Sequence, residues 1–289
     1  MHDINLVAGE NAVLLLHGLA SSPLEMRYVA KMLHRNGFSV SVPHIAGYGH
    51  GEPVTDWREW HAKALDAFTQ LKREYRTVSV GGLCIGAVLA LSLAAEKRRE
   101  IAALSLLSTT LFYDGWAMPW YRFLLPLFNC APLRNRSSFR EREPYGVKNE
   151  FLRKRIARAM QHESLTAVGA SSISMNHIYQ ATRLIGHVKR TIGAVETPAL
   201  VMHAIDDDVA SVKNADFIVD RIGSKIVRKV VLNDSYHIVT MDNERARVVD
   251  ETSRFFTNSI RASVAGLRSG ERARMPASLA NAGLVAVAA

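Results

Sequence analysis

The chain has 289 residues, 48% of them hydrophobic and 22% charged, with a formal net charge of +9. That is ordinary globular composition, enough apolar material for one large domain or two small ones. Cys84 and Cys130 lie far apart and make no disulfide framework, no run nears the roughly 18 apolar residues of a membrane span, and the N-terminus lacks a secretory leader pattern, so a soluble protein of a reducing cytoplasm is expected.

Apolar runs alternate with helical patterns along the chain, as in a parallel sheet with crossover helices. Asn11–Gly18 (NAVLLLHG) reads as a short strand buried on both faces. Ser22–Gly37 follows, with Leu24, Tyr28, Met32 and Leu33 near helical spacing, Pro23 at its start and Gly37 at its stop. Phe38–Pro43 is the next strand, and AGYGHGEP a glycine-rich loop. Asp56–Tyr75 predicts a helix with Trp57, Trp60, Ala64, Leu65, Phe68 and Leu71 on one face. Thr77–Gly82 predicts a strand, Ile85–Arg98 a helix and Ile101–Thr109 another strand.

The pattern then changes. Thr110–Gly193 holds an aromatic, proline-containing run (YDGWAMPWYRFLLPLFNCAPL), a basic helix around Asn149–Gln161 and a Ser/Ala/Gly-rich stretch near Gly169. It is too long for a loop, and a mostly helical cap over 110–193, inserted between core segments 1–109 and 194–261, is expected. Pro198–Ala204 and Lys225–Leu232 then predict strands, and Asn243–Ile260 a closing helix. Residues 262–289 are Ala-rich and short of large apolar side chains, which predicts a weakly ordered tail. Positive charge gathers in the cap, where Arg122–Arg158 carries ten Lys/Arg against three Asp/Glu. No zinc-finger, RNA-binding or helix-turn-helix signature accompanies it, so nucleic acid is not an expected partner. A solvated surface is the plain reading, and an acidic protein or anionic ligand the functional one.

Gly82–Gly86 (GLCIG) joins a predicted strand to a predicted helix. A lone cysteine most often packs as a small buried hydrophobe. Here the form G-x-C-x-G is that of a nucleophile elbow with Cys84 in the place of serine, a turn so tight that its flanks must be small. The helix beginning at Ile85 would favour a thiolate through its dipole. HGLASSP, directly after the first buried strand, lets the Leu19 N–H face the same point as the Ile85 N–H, an expected oxyanion hole. HAIDDDVAS follows one strand and offers Asp206, Asp207 and Asp208; LNDSYHIVT follows the next and offers His237. His44, His50, His61 and His203 read as loop or core histidines without zinc-site spacing, and neither metal nor cofactor is expected.

Together AVLLLHG, GYGHG, GLCIG, DDDVAS and SYHIVT resemble the α/β-hydrolase superfamily, and within it the bacterial carboxylesterase and monoacylglycerol-lipase-like group, over roughly Ala8–Ile260. The resemblance implies a mostly parallel twisted sheet flanked by helices, with an inserted helical cap. It also implies Cys84 as nucleophile, Asp207 as acid and His237 as base. Asp207 is selected by reading Ala204 in the glycine place of the family's G-x-x-D pattern, with Asp206 and Asp208 as alternatives. Trp116, Trp120 and Phe123 read as cap core or as the lining of a hydrophobic substrate pocket.

Cysteine in place of serine bears on the substrate. A thiol leaves more readily than an alkyl alcohol, so an alkyl ester would tend to expel Cys84 again, whereas a thioester exchanges almost evenly. Dienelactone hydrolases and polyhydroxyalkanoate synthases, cysteine-bearing members of the superfamily, fit this logic. The expected activity is a thioesterase or acyltransferase that takes acyl-CoA or an acyl-carrier-protein thioester through an acyl-Cys intermediate. An acidic carrier protein would suit the basic cap. The alternatives are a carboxylesterase-like hydrolase of activated oxygen esters and a non-catalytic ligand-binding homologue.

Overall fold

The computed structural model describes residues 2–49, 52–119, 131–140, 142–162, 165–166, 169–170 and 172–274. Strand β1 (Ile4–Leu6) is followed by β2 (Asn11–Leu16), in which Ala12 to Leu16 are all buried. A 3-10 turn at Pro23–Met26 leads into α1 (Arg27–Arg35), then β3 (Ser39–Val42). Helix α2 (Trp57–Glu74) starts at Asp56, whose side chain accepts the Arg58 N–H as an N-cap. Next come β4 (Thr77–Leu83), α3 (Ile85–Lys97) and β5 (Leu104–Leu107). The long insertion contains α4 (Ala131–Arg136), β6 (Ser138–Arg140), α5 (Glu150–His162), β7 (Leu165–Thr166), β8 (Gly169–Ala170), β9 (Ser172–Ser174) and α6 (Met175–Thr191). The chain returns through β10 (Ala199–Ala204), α7 (Lys213–Arg221), β11 (Val227–Leu232) and α8 (Arg245–Arg274).

Seven strands form one sheet in the order β1-β3-β2-β4-β5-β10-β11. Only the β1 edge is antiparallel; the other pairings are parallel. Side chains of β2 alternate between faces as strand geometry requires. Leu14 and Leu16 join the cluster built with Trp60 and Phe68 of α2, Leu89 and Leu93 of α3, and Leu184 and Val188 of α6. Val13 and Leu15 join the opposite cluster with Val29 and Leu33 of α1 and Val248 and Phe256 of α8. Burial on both faces is why these strands read as unbroken apolar runs.

The register sets the strand ends level. Leu16 pairs with Gly82, Leu83 with Leu107, Leu107 with Met202, and Ala204 with Leu232. The loops after β2, β4, β10 and β11 therefore leave the sheet along one carboxyl edge, where ligands bind in open α/β sheets.

Several elements differ from expectation, among them the short strands β6 to β9 within a span expected to be mostly helical. Strand β1 has three residues, too few to show a pattern. Helix α6 falls inside the span expected to form the cap, yet Ala181, Leu184, Ile185 and Val188 face the core against α3. Their i, i+3, i+4, i+7 spacing is the stripe of a core-facing helix. Helix α8 runs on to Arg274, past the Ile260 end expected of the closing helix. No helix among the described residues is long and apolar enough to cross a membrane.

Candidate active site

Cys84 stands between β4 and α3 at φ 57°, ψ −120°. A non-glycine residue in such a conformation stores about 1–3 kcal/mol of strain, held only where the surroundings over-determine it. Here they do. A Cβ on Gly82 would lie 2.3 Å from the Gly86 carbonyl oxygen, and one on Gly86 would lie 2.3 Å from that of Leu16. The Cys84 N–H donates to the Leu107 carbonyl at 3.0 Å, and the Cys84 carbonyl accepts from Ala87 and Val88 in the first turn of α3. Ile85 opens that helix, so its N–H is among the first four, which have no intrahelical acceptor. The half-buried Cys84 places Sγ 3.3 Å from Thr110 Oγ1.

Leu19 lies in the loop after β2, and its neighbours on both sides are tied down. The Gly18 N–H donates to Glu25 Oε2 at 2.6 Å, and the Ala20 N–H donates to the Tyr48 carbonyl at 3.1 Å. Tyr48 returns a bond from its hydroxyl to the His17 carbonyl at 2.8 Å. Burial pushes Glu25 up to about 7, with the Gly18 N–H and His237 pulling partly the other way. Burial pushes His17 down to about 4.

The loops after β10 and β11 supply the other groups. His237 Nδ1 lies 2.8 and 2.9 Å from the two Asp207 carboxylate oxygens. Asp207 also accepts the N–H groups of Val209 and Ala210 and is 3.2 Å from His203 Nε2. Burial alone would raise Asp207, but His237 and His203 outweigh it and hold the carboxyl well below the usual range. Burial alone would lower His237; Asp207 and then Cys84 outweigh it, and the imidazole is raised well above 6.5. Among the described residues no hydrogen bond of good geometry reaches His237 Nε2, yet the thiol is close enough to act on the ring. Such contacts tighten when substrate binds.

The three consecutive aspartates separate cleanly. Asp206 is exposed and pairs with Lys148 at 3.0 Å. Asp207 meets His237. Asp208 is buried and accepts the Gly146 N–H at 3.1 Å and the His237 N–H at 3.3 Å, tying the insertion to the histidine loop. Asp242 accepts the Lys148, Asn149 and Tyr236 N–H groups and fixes the base of the same loop.

The structure thus brings Cys84, Asp207, His237, Leu19 and Ile85 to one sheet edge. Trp116 is 60% exposed, its Nε1 donates to the Asp206 carbonyl at 2.9 Å, and its ring edge-packs on Tyr236. The indole N–H takes it to the backbone of the aspartate loop. Trp120 and Phe123 lie outside the described residues. Glu25, Thr110 and His203 carry no sequence signal that places them in the site, and Asp208, an alternative for the acid, instead holds the Gly146 and His237 N–H groups. His203 was read as a core histidine, and it is buried, but its Nε2 donates to the Ala210 carbonyl at 2.6 Å and braces Asp207.

The chain matches the family described as serine aminopeptidase, S33, over residues 9–244. It is 25% identical over 251 residues to the thermostable monoacylglycerol lipase of Bacillus sp. (strain H-257), covering 86% of this chain and 91% of that protein. It is 23% identical over 269 residues to a carboxylesterase of Bacillus subtilis (strain 168), covering 86% and 92%. Among solved structures it resembles one from work on the metagenome-derived lipolytic enzymes LipS and LipT, with a TM-score of 0.75, 20% identity and coverage of 89% and 97%. The monoacylglycerol lipase of Paleococcus ferrophilus gives 0.74 at 12% identity, with coverage of 89% and 98%. Because the family match runs from before the first buried strand to beyond His237, the chain belongs to the serine aminopeptidase S33 family and has the α/β-hydrolase fold.

Proposed function

We propose that the protein hydrolyses acyl esters through a covalent acyl intermediate on Cys84. The observation that carries this reading is His237, held at 2.8 Å by Asp207 at the same sheet edge as the strained Cys84 turn. His237 takes the thiol proton as Sγ attacks the carbonyl carbon, and the oxyanion that forms is met by the Leu19 and Ile85 N–H groups. Collapse breaks the bond to the leaving group, which takes its proton from His237. Water, deprotonated by His237, then attacks the acyl-Cys84 thioester, releasing the acid and restoring the thiol. Asp207 holds the imidazole in the tautomer that leaves Nε2 free for these transfers.

Residues alone put a thioester substrate first. The carboxylesterase and lipase among its relatives support oxygen esters, and that reading now leads. Thioester hydrolysis remains the second reading because Cys84 itself favours it: each pK step of leaving-group advantage is worth up to about 1.4 kcal/mol in partitioning. On that reading the substrate is an acyl-CoA or an acyl-carrier-protein thioester.

The test compares one acyl chain presented as ethyl ester, nitrophenyl ester and thioester, with wild type, Cys84→Ala and Cys84→Ser. Turnover lost in Cys84→Ala, with the nitrophenyl ester faster than the ethyl ester, supports the reading. A thioester preference that Cys84→Ser narrows would promote the second reading. Undiminished hydrolysis by Cys84→Ala would end both.

A further inference from the structure

Glu25 is a carboxyl group in the protein interior, 4% exposed, on the turn that follows the Leu19 loop. Buried carboxylates are costly unless something holds them. What holds this one is the site itself: Oε2 accepts the Gly18 N–H at 2.6 Å, one peptide before Leu19. Gly18 permits the close approach, since a Cβ there would lie 2.9 Å from the same oxygen. The charged or titratable groups that face the carboxyl are His237 from the loop after β11 and Tyr48 from the loop after β3, with the Ser21 hydroxyl beside it.

We propose, resting on the acyl-Cys84 reading, that Glu25 is a positioning residue with two effects. Its oxygen anchors the Gly18–Leu19 segment so that the Leu19 N–H faces the developing oxyanion, and its charge acts on the His237 imidazole that faces it. The neutral carboxyl keeps a carbonyl oxygen for the Gly18 N–H, so anchoring survives protonation. The charge does not. An ionised Glu25 favours the imidazolium and opposes the oxyanion, and burial places its titration at about 7, where both states are populated near neutrality. A residue serving only to fill the turn would be replaced by glutamine with no change in pH dependence.

The test uses the full chain, a nitrophenyl butyrate probe and the rate of iodoacetamide alkylation at Cys84, each measured across pH. Glu25→Ala removes the anchor and is expected to lower kcat with KM little changed, by up to the 10²–10³-fold typical of a lost oxyanion donor. Glu25→Gln restores an acceptor and should rescue most of that loss. It also removes a negative charge facing His237, which makes proton loss from the imidazolium easier. The acid limb of kcat/KM and the alkylation profile should therefore both move to lower pH. Profiles of Glu25→Gln that coincide with wild type, or Glu25→Ala with wild-type kcat, would overturn the proposal. If Glu25→Ala does not fold, the Glu25→Gln profiles decide alone. Cys84→Ala run beside them separates the two ideas: full hydrolysis without Cys84 refutes the acyl-Cys84 reading and this proposal with it. Cys84-dependent turnover with unshifted Glu25→Gln profiles refutes this proposal only.

Discussion

Glu25→Gln should also uncover a compensation between two buried groups in the pH dependence of stability. Burial moves Glu25 from an ordinary 4.5 to about 7, so the folded protein holds that proton more tightly than the unfolded chain. Its contribution to stability falls as pH rises through that window, by about 3 kcal/mol at about 1.4 kcal/mol per pH unit. His17 moves the opposite way, from 6.5 to about 4, and the folded protein holds its proton less tightly. Its contribution rises with pH between those values, again by about 3 kcal/mol. From about pH 4.5 to 6.5 the two slopes oppose and nearly cancel. Above pH 6.5 Glu25 continues to cost stability, and the His237 contribution, complete below its ordinary 6.5, is lost as pH rises through its raised value. Glu25→Gln removes one slope. Urea unfolding of variant and wild type, measured from about pH 4.5 to 7.5, should give a difference that starts near zero and grows to about 3 kcal/mol in favour of the variant. Taking the difference cancels the titrating groups that Glu25 does not touch; His237, which faces it, is the one that does not cancel. A difference that stays constant across pH would refute the buried, neutral-favouring environment assigned to Glu25.

Asp207→Asn should lower kcat by about 10⁴-fold, as loss of the orienting acid does in serine triads, whereas Asp206→Asn should stay close to wild type because its partner is a surface lysine; steady-state rates decide, and the reverse ranking would move the acid role to Asp206. Gly86→Ala should lose at least about 1–3 kcal/mol of unfolding free energy, since its Cβ would meet the Leu16 and His17 carbonyl oxygens at 2.3 and 2.4 Å. A urea midpoint equal to wild type would contradict the tight turn at Cys84.

How much of this was legible in the sequence depended on how local the cause is. Ala12 to Leu16 and Ala199 to Ala204 are buried on both faces, so their apolar runs announced strands. The elbow was legible because the contacts that demand Gly82 and Gly86 arise within a few residues of the turn and from the strand alongside. Glu25 was not, because a charged residue in an amphipathic turn reads as solvent-facing until the Gly18 N–H is seen to meet it. Asp207 could be preferred over its neighbours from the pattern, but their three distinct partners are tertiary facts: Lys148, His237 and the Gly146 N–H. Trp116 shows the limit of composition. Its aromatic neighbours suggest an apolar lining, and the bond from its indole N–H to the Asp206 carbonyl could not be read from them. Helix α6 was hidden inside a long insertion, although its apolar stripe was there to be read.

The most direct test of the account is the covalent intermediate itself. The protein is mixed with a nitrophenyl acyl ester, quenched in acid within the first turnovers, and its intact mass and peptide map are recorded. An added acyl mass on the peptide carrying Cys84, absent from Cys84→Ala, is the predicted result. Turnover with no acyl group on Cys84, and with Cys84→Ala hydrolysing the ester as fast as wild type, would contradict it.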